Sequence, residues 1–289
     1  MFYVFSHFPC NDGELSRMIW QYYKPNSIFY SWKHHDTNEA INIINKLEPR
    51  SDVVFLDLTP PLNILPNHHT YTIIDHHKDA IIKMLNHPKY SEYRIKMITE
   101  EGFPENNKLS GCILTWNYLS KGQDPIPSVV RYIGMKDVWD FSNAHTEPYN
   151  IAYTAELKKY QTQDERINFI MDLFEKDRDT ELINIGIGMI EKYKERAVKV
   201  FDNVSYDVDM IDDVEYTIAD VVCSENELFK YLIDYAEANI DMDILRIHHS
   251  TTDGKNNYSL RRIKPHIKVD TMARKYGGNG HEGAAGYSI

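Results

Sequence analysis

The chain has 289 residues, 42% of them hydrophobic and 26% charged, a composition that speaks against a disordered or fibrous protein and, at about 150 residues per domain, suggests two domains each able to bury a core. Thirty-two Lys and Arg against 43 Asp and Glu leave a net charge of -11, which argues against duplex binding driven by counterion release. No stretch reaches the roughly 18 consecutive apolar residues of a membrane span, and Met1 to Phe8 lacks a basic leader, so a cytoplasmic protein without membrane contact is expected. Cys10, Cys112 and Cys223 are too few and too scattered for a disulfide framework or a thiolate zinc site, so any metal must use other ligands.

Residues 1 to 140 alternate β-branched or aromatic runs with segments of helical period, the pattern of stacked βαβ units. Tyr3 to His7 reads as the first strand, followed by a helix through Leu15, Met18, Ile19 and Tyr22. Asp36 with Glu39 marks a helix start leading into Ala40, Ile44 and Leu47. Val53 to Leu58 and Tyr71 to Ile74 are the next strands, and Ser110 to Leu119 is a helix whose small first residues permit close approach. An apolar line through Leu182, Gly186, Met189, Tyr193, Ala197 and Val200 predicts one long helix from Asp179 to about Asn203, with Gly186 and Gly188 against it. Beyond it the strand and helix rhythm restarts. Strands are expected at Val214 to Val221, Met242 to His248 and Tyr258 to Ile263, and helices at Glu225 to Asn239 and Val269 to Tyr276. Residues 204 to 243 hold twelve acids and one lysine, whereas Tyr258 to Ile289 carries six Lys or Arg and two acids. This basic segment can meet a small anionic group or simply form a solvated face.

Two signals carry chemistry. The strand Ile73-Ile74 ends in Asp75-His76-His77. Taken alone, one such histidine can cap a backbone group while the other faces water. Asp57, however, follows a second apolar run, and His7 with Asp12 and Glu14 follows the first strand, so three consecutive strands deliver His and carboxylate groups to one sheet edge, where ligands gather in α/β folds. Imidazole with carboxylate suits Mn²⁺ or a similar divalent ion, with Mg²⁺ or Co²⁺ as alternatives, and five or six such ligands suffice for two ions. Such a pair can hold a bridging hydroxide for in-line displacement at phosphorus. The second signal is Gly277-Gly278-Asn279-Gly280-His281-Glu282-Gly283-Ala284-Ala285-Gly286, whose glycines let amide groups crowd around an anion, with His281 adding a donor. Upstream, Arg261 and Arg262 lie at a strand end and can grip phosphate or form surface salt bridges.

Taken in order, His7 to Asp12, Asp57, Asp75-His76-His77, the Ser110-Gly111 helix and the terminal Gly-Gly-x-Gly-His-x-x-Ala-Ala-Gly resemble the DHH phosphoesterase superfamily, in its subfamily with the first type of DHH-associated C-terminal domain, which includes RecJ-like exonucleases, oligoribonuclease and pAp phosphatases. The resemblance implies an α/β fold, with a parallel-sheet catalytic domain at 1–180, a linker helix at 181–204 and a smaller α/β substrate-binding domain at 205–289, the substrate lying between the two. It makes His7, Asp12, Asp57, Asp75 and His76 metal ligands, with Asp57 bridging, and sets His77 beside the scissile phosphate. Glu14 stands where a second Asp usually lies. Where relatives read Asp-x-Asp-x-Trp this chain has Met135-Lys136-Asp137-Val138-Trp139, so Asp137 is expected to replace the missing acid. Arg261 and Gly278, Asn279, Gly280 and His281 are assigned to the substrate phosphate.

The expectation is a Mn²⁺-dependent phosphodiesterase or exonuclease acting on short single-stranded oligonucleotides or small nucleotides such as pAp or linear and cyclic dinucleotides. An inorganic pyrophosphatase, or a non-catalytic nucleic-acid-binding or scaffold protein on a degenerate DHH fold, are the alternatives.

Overall fold

The computed structural model describes residues 1–33, 37–211, 214–250 and 256–289. The helix start read at Asp36 lies outside the described residues. Two compact units, Met1–Ile187 and Gly188–Ile289, make up the chain.

The first unit opens with β1 (Phe2–His7), α1 (Asn11–Tyr23), β2 (Ile28–Trp32), α2 (Thr37–Ile44), β3 (Asp52–Leu56), β4 (Thr70–Ile74), α3 (Lys78–Leu85) and β5 (Arg94–Ile98). Its strands form one parallel sheet in the order β2-β1-β3-β4-β5. Alternation along the strands divides the apolar side chains between two faces. Phe5, Phe55, Tyr71 and Ile73 pack with Ala40 and Ile44 of α2 and Met84 of α3. Val4, Val54, Leu56 and Ile74 pack with Trp20 of α1 and with Leu114 from α4 (Gly111–Ser120). A helical layer continues with α5 (Ser128–Asp137), α6 (Thr146–Leu157), α7 (Gln163–Glu175) and the start of α8 (Asp179–Phe201), joined through Ile133, Tyr149, Tyr153, Ile170 and Leu182.

Three sequence expectations need correction here. The strand expected to reach Leu58 stops at Leu56, because Asp57 takes a positive φ of 54° that no strand residue can hold. The three strands carrying His and Asp are adjacent in space but not consecutive in sequence: β2 intervenes and lies at the sheet edge. The helix expected from Glu225 begins as a helix only at Phe229, after a single tighter turn at Asn226–Leu228.

Within the second unit, β6 (Ser205–Ile211), β7 (Val214–Val222), α9 (Phe229–Asn239), β8 (Ile244–Ser250), β9 (Asn256–Arg262), α10 (Val269–Lys275), β10 (Asn279–His281) and β11 (Ala284–Ser288) form a six-stranded sheet ordered β10-β11-β9-β8-β7-β6. Only β7 and β8 run parallel, since α9 is the crossover between them. Val269, Met272 and Ala273 of α10 cover Ile218, Ile244, Leu260, Ala285 and Tyr287.

The two glycines of α8 differ in kind. A Cβ on Gly186 would lie 1.9 Å from the Pro148 carbonyl oxygen of α6, whereas one on Gly188 would meet nothing within 4 Å. Gly186 is therefore a close-approach residue that lets the two helices touch, and Gly188 only weakens its helix. Gly186→Ala is expected to lower stability by about 1–3 kcal/mol through overpacking, while Gly188→Ala should leave it unchanged or raise it by up to about 1 kcal/mol. Urea unfolding of both variants measures the contrast.

Candidate metal centre

In the strand order 2-1-3-4-5 the chain reverses its direction of travel between β1 and β3, and ligands of such sheets bind beyond the carboxyl ends of the strands at that point. His7 is the last residue of β1, Asp57 follows β3 directly, and Asp75 follows β4. Sheet topology thus sets these three side by side.

Asp57 and Asp12 are each 1% exposed and Asp75 is fully buried. The His7 Nδ1 lies 3.2 Å from Asp57 Oδ2. His76 Nε2 is the hub: it lies 3.1 Å from Asp137 Oδ2, 3.3 Å from Asp57 Oδ1 and 3.8 Å from Asp12 Oδ2. Despite these neighbours Asp57 Oδ1 has no hydrogen-bond partner. Backbone packing leaves no slack around the cluster, because a Cβ on Gly111 would fall 2.9 Å from Asp12 Oδ2 and 3.0 Å from Asp57 Oδ1. The same helix start receives Asp12, whose two carboxylate oxygens accept from the backbone N–H groups of Gly111 at 2.7 Å and Cys112 at 2.9 Å.

Asp75 plays a different part from the other acids. Its Oδ1 accepts from the backbone N–H groups of His76 and His77 and lies 2.7 Å from His77 Nδ1, while Thr59 donates to Oδ2 at 2.6 Å. It therefore orients the DHH turn and fixes the His77 ring, whose side chain is 44% exposed. The hydrogen bond to Asp75 also raises the His77 pKa, which favours a protonated ring.

Electrostatics confirm how much negative charge is gathered here. Burial, with repulsion from Asp57 and Asp137, pushes the Asp12 carboxyl up to about 8. Burial would lift Asp57 as well, but the imidazoles of His7 and His76 outweigh it and hold Asp57 well below the usual carboxylate range. Burial works against a charged His76, and the close carboxylates of Asp137 and Asp57 overcome it and raise that ring to about 11.

Three overlapping groups have ligand atoms within 4.8 Å of one another: Asp57, Asp75, His76 and His77; His7, Cys10 and Asp57; and Asp12, His76 and Asp137. The donor set, the orphaned Asp57 oxygen and the crowding at Gly111 all fit divalent metal. His7, Asp12, Asp57, Asp75, His76 and Asp137 lie together in these groups, and Asp137 reaches the cluster from the C-terminal end of α5. Glu14 does not join any of these groups; it pairs with Arg166 at 3.2 Å. Cys10, three residues after His7, joins one of these groups although the scatter of the three cysteines speaks against thiol ligands, because a single thiol beside an imidazole and a carboxylate needs no second cysteine.

In the second unit the glycine-rich segment is a packed hairpin. The amides of Gly277 and Gly278 donate to Arg274 and Ala273 at the end of α10, and Gly277 has φ 76°, so they cap that helix and do not crowd around an anion. A Cβ on Gly278 would lie 2.1 Å from the Gly286 carbonyl oxygen, so this glycine permits close pairing. Register brings the remaining residues together. His281 pairs with Ala284 and Ala284 with Arg261, so both polar side chains stand on one face on either side of a methyl group, with their strands about 10 Å apart. On that face Asn279, Gly286 and Ser259 form the next row. A cavity of about 500 Å³ is lined by His249, Asn257, Ser259, Gly278, Asn279 and Ser288. Arg261 is half-buried and donates to its neighbouring Leu260 carbonyl at 2.9 Å.

Comparison with known proteins gives the fold several parallels. No family model matches the chain. It is 24% identical over 310 residues to the uncharacterized protein R106 of Acanthamoeba polyphaga mimivirus, covering 99% of this chain and 67% of that protein. Among solved structures, a pGpG-specific phosphodiesterase, PggH, of Vibrio cholerae matches with a TM-score of 0.51 at 12% identity, over 100% of this chain and 93% of that one. An exopolyphosphatase-related protein from Bacteroides fragilis matches with a TM-score of 0.47 at 16% identity, over 100% and 86% of the two chains. The class is thus an α/β chain with a parallel five-stranded sheet followed by a second, mixed sheet, an architecture it shares with the Vibrio protein. No helix among the described residues is long and apolar enough to cross a membrane.

Because burial and acid neighbours push Asp12 up to about 8, and Asp137 and Asp57 raise His76 to about 11, a metal held by these two groups would displace their protons and bind more weakly as pH falls. Calorimetric titration with Mn²⁺ at pH 7 in two buffers of different ionisation enthalpy should show proton release, and the apparent affinity should rise steadily from pH 6 to 9. A pH-independent affinity would mean that neither group is a ligand.

Proposed function

We propose that the chain is a metal-dependent phosphoesterase, a Mn²⁺-using phosphodiesterase or exonuclease for short single-stranded oligonucleotides or small nucleotides. The observation that carries this is the convergence of His7, Asp12, Asp57, His76 and Asp137 beyond adjacent strand ends, with a buried carboxylate oxygen left without a partner. The motif resemblance to DHH phosphoesterases and the fold shared with a phosphodiesterase support the same reading. In such a centre two divalent ions supply Lewis acidity toward a phosphoryl group and lower the pKa of water.

The chain's own residues divide the remaining tasks. Asp57, flanked by His7 at 3.2 Å and His76 at 3.3 Å, would be the carboxylate shared between two metal positions. Asp75 locks the Nδ1 side of His77, leaving the other ring nitrogen as the donor toward a phosphate oxygen. Residues 1–180 act as the catalytic domain, 181–204 as a linker helix and 205–289 as the substrate-binding domain, in which Arg261, Asn279 and His281 grip a terminal phosphate on one sheet face. Gly278 and Gly280 contribute by letting β10 close on β11. The acids of residues 204–243 disfavour a long polyanion, so substrates of a few nucleotides fit better than polymers. A pyrophosphatase or a non-catalytic binding protein are the readings this displaces.

Initial rates with Mn²⁺ on a panel of dinucleotides, pAp, cyclic dinucleotides, five- and twenty-nucleotide strands and pyrophosphate test the proposal. Hydrolysis should be fastest on the small nucleotides and nearly absent in Asp57→Asn and His76→Ala, which should stay folded by circular dichroism. No hydrolysis of any member, or undiminished activity in both variants, would refute it.

Arg261→Ala and His281→Ala should raise KM about tenfold or more with a smaller change in kcat, because they hold substrate away from the reacting phosphorus. Steady-state kinetics on the best substrate decide this, and a loss in kcat at constant KM would place either residue in the chemistry instead.

A further inference from the structure

Cys10 stands between β1 and α1, at the position just before the helix, with extended backbone (φ -151°, ψ 132°). Its sulfur, a ring nitrogen of His7 and a carboxylate oxygen of Asp57 lie within 4.8 Å of one another. A small apolar role does not suit it, since it is only half-buried and its charged neighbours are Asp57 and Asp12. An observation independent of the cysteine points to a cation at the same carboxylate: Asp57 is 1% exposed, its Oδ2 faces His7, and its Oδ1, 3.3 Å from His76 Nε2, has no hydrogen-bond partner. The backbone at Asp57 is itself held at φ 54°, a conformation a non-glycine residue keeps only when its surroundings impose it.

We propose that Cys10 is a thiolate ligand of a first metal position formed with His7 and Asp57, distinct in chemistry from the second position formed by Asp12, His76 and Asp137. This inference rests on the metal-centre reading above and deepens it. The second position offers only nitrogen and oxygen and suits Mn²⁺ or Mg²⁺, whereas sulfur with imidazole favours a softer ion such as Zn²⁺ or Co²⁺. Asp57 takes part in both, with its Oδ2 3.2 Å from His7 and its Oδ1 3.3 Å from His76, so the two positions share this carboxylate but not a preference. On binding, the sulfur–hydrogen bond of Cys10 breaks, the proton passes to solvent, and the sulfur lone pair forms the bond to the metal. Burial and the neighbouring Asp57 and Asp12 carboxylates keep the free thiol protonated, so the proton leaves only as the bond to the metal forms.

The test is visible and near-ultraviolet absorption of the full metal-free chain titrated with Co²⁺. Wild type should show d–d bands together with a sulfur-to-cobalt charge-transfer band. Cys10→Ser should retain d–d bands, lose the charge-transfer band, and lose about tenfold or more in Zn²⁺ affinity with a much smaller change for Mn²⁺. Cys112→Ser serves as the thiol control and should keep the band. Cys10→Asp should abolish the band, restore metal binding and move the preference toward Mn²⁺, which keeps the question answerable should the serine variant fold poorly. If d–d bands appear in wild type without charge transfer, or if the band survives in both Cys10 variants, Cys10 is not a ligand while the metal centre stands. If Co²⁺ gives no d–d bands at all, the metal-centre reading falls with it.

Discussion

Buried carboxylates crowded around one imidazole are the constraint on which the structure of the first unit depends. Asp12, Asp57 and Asp137 all lie within 3.8 Å of His76 Nε2, and Asp12 and Asp57 are out of contact with water. Burial of unpaired charge is expensive, and a protein keeps such an arrangement only when donors or a cation compensate it. Part of that compensation is visible in the fold: the amides of Gly111 and Cys112 meet Asp12, and His7 meets Asp57. The second Asp57 oxygen faces His76 Nε2 at 3.3 Å without a hydrogen-bond partner, at the centre of the groups that could hold a metal.

Local devices follow from that need. Gly111 has no side chain because Asp12 and Asp57 occupy the space a Cβ would take. Gly13 is similar, since a Cβ there would lie 2.4 Å from the His7 carbonyl oxygen. Thr59 and the backbone N–H groups of the DHH turn satisfy Asp75, so this acid orients its neighbours and does not add to the repulsion. The two adjacent histidines consequently have opposite roles: His76 turns inward to the acids, while His77, held through one nitrogen, is partly open to solvent.

Residues of the second unit work by register and not by loop flexibility. Pairing of β10 with β11 and of β11 with β9 stacks His281, Ala284 and Arg261 in a row. The glycines expected to crowd amide groups around an anion instead make the hairpin compact and end α10. A polar cavity beside this row, lined by neutral donors and acceptors together with His249, provides room for a small ligand.

The sequence alone determined the strands of the first sheet that carry chemistry, the DHH turn after β4 and the long α8, because each depends on local period or on an apolar run ending in polar residues. The sequence marked Asp137 only by the resemblance of Met135-Lys136-Asp137-Val138-Trp139 to a family pattern, not by any local period. Elements without a clean period escaped it: α6 buries Thr146, Pro148, Tyr149, Asn150, Ala152 and Tyr153 around much of its circumference and so shows no single apolar stripe, and β5, with alternating exposed and half-buried residues at the sheet edge, carries a weak pattern. Only the tertiary structure decided which acids face one another. Glu14 and Asp12 are two residues apart, yet a helix turn sends one to Arg166 and the other to the N-terminus of α4. Likewise Cys10 acquires its meaning from Asp57, 47 positions away in the chain, a juxtaposition made by strand order, which local sequence does not encode.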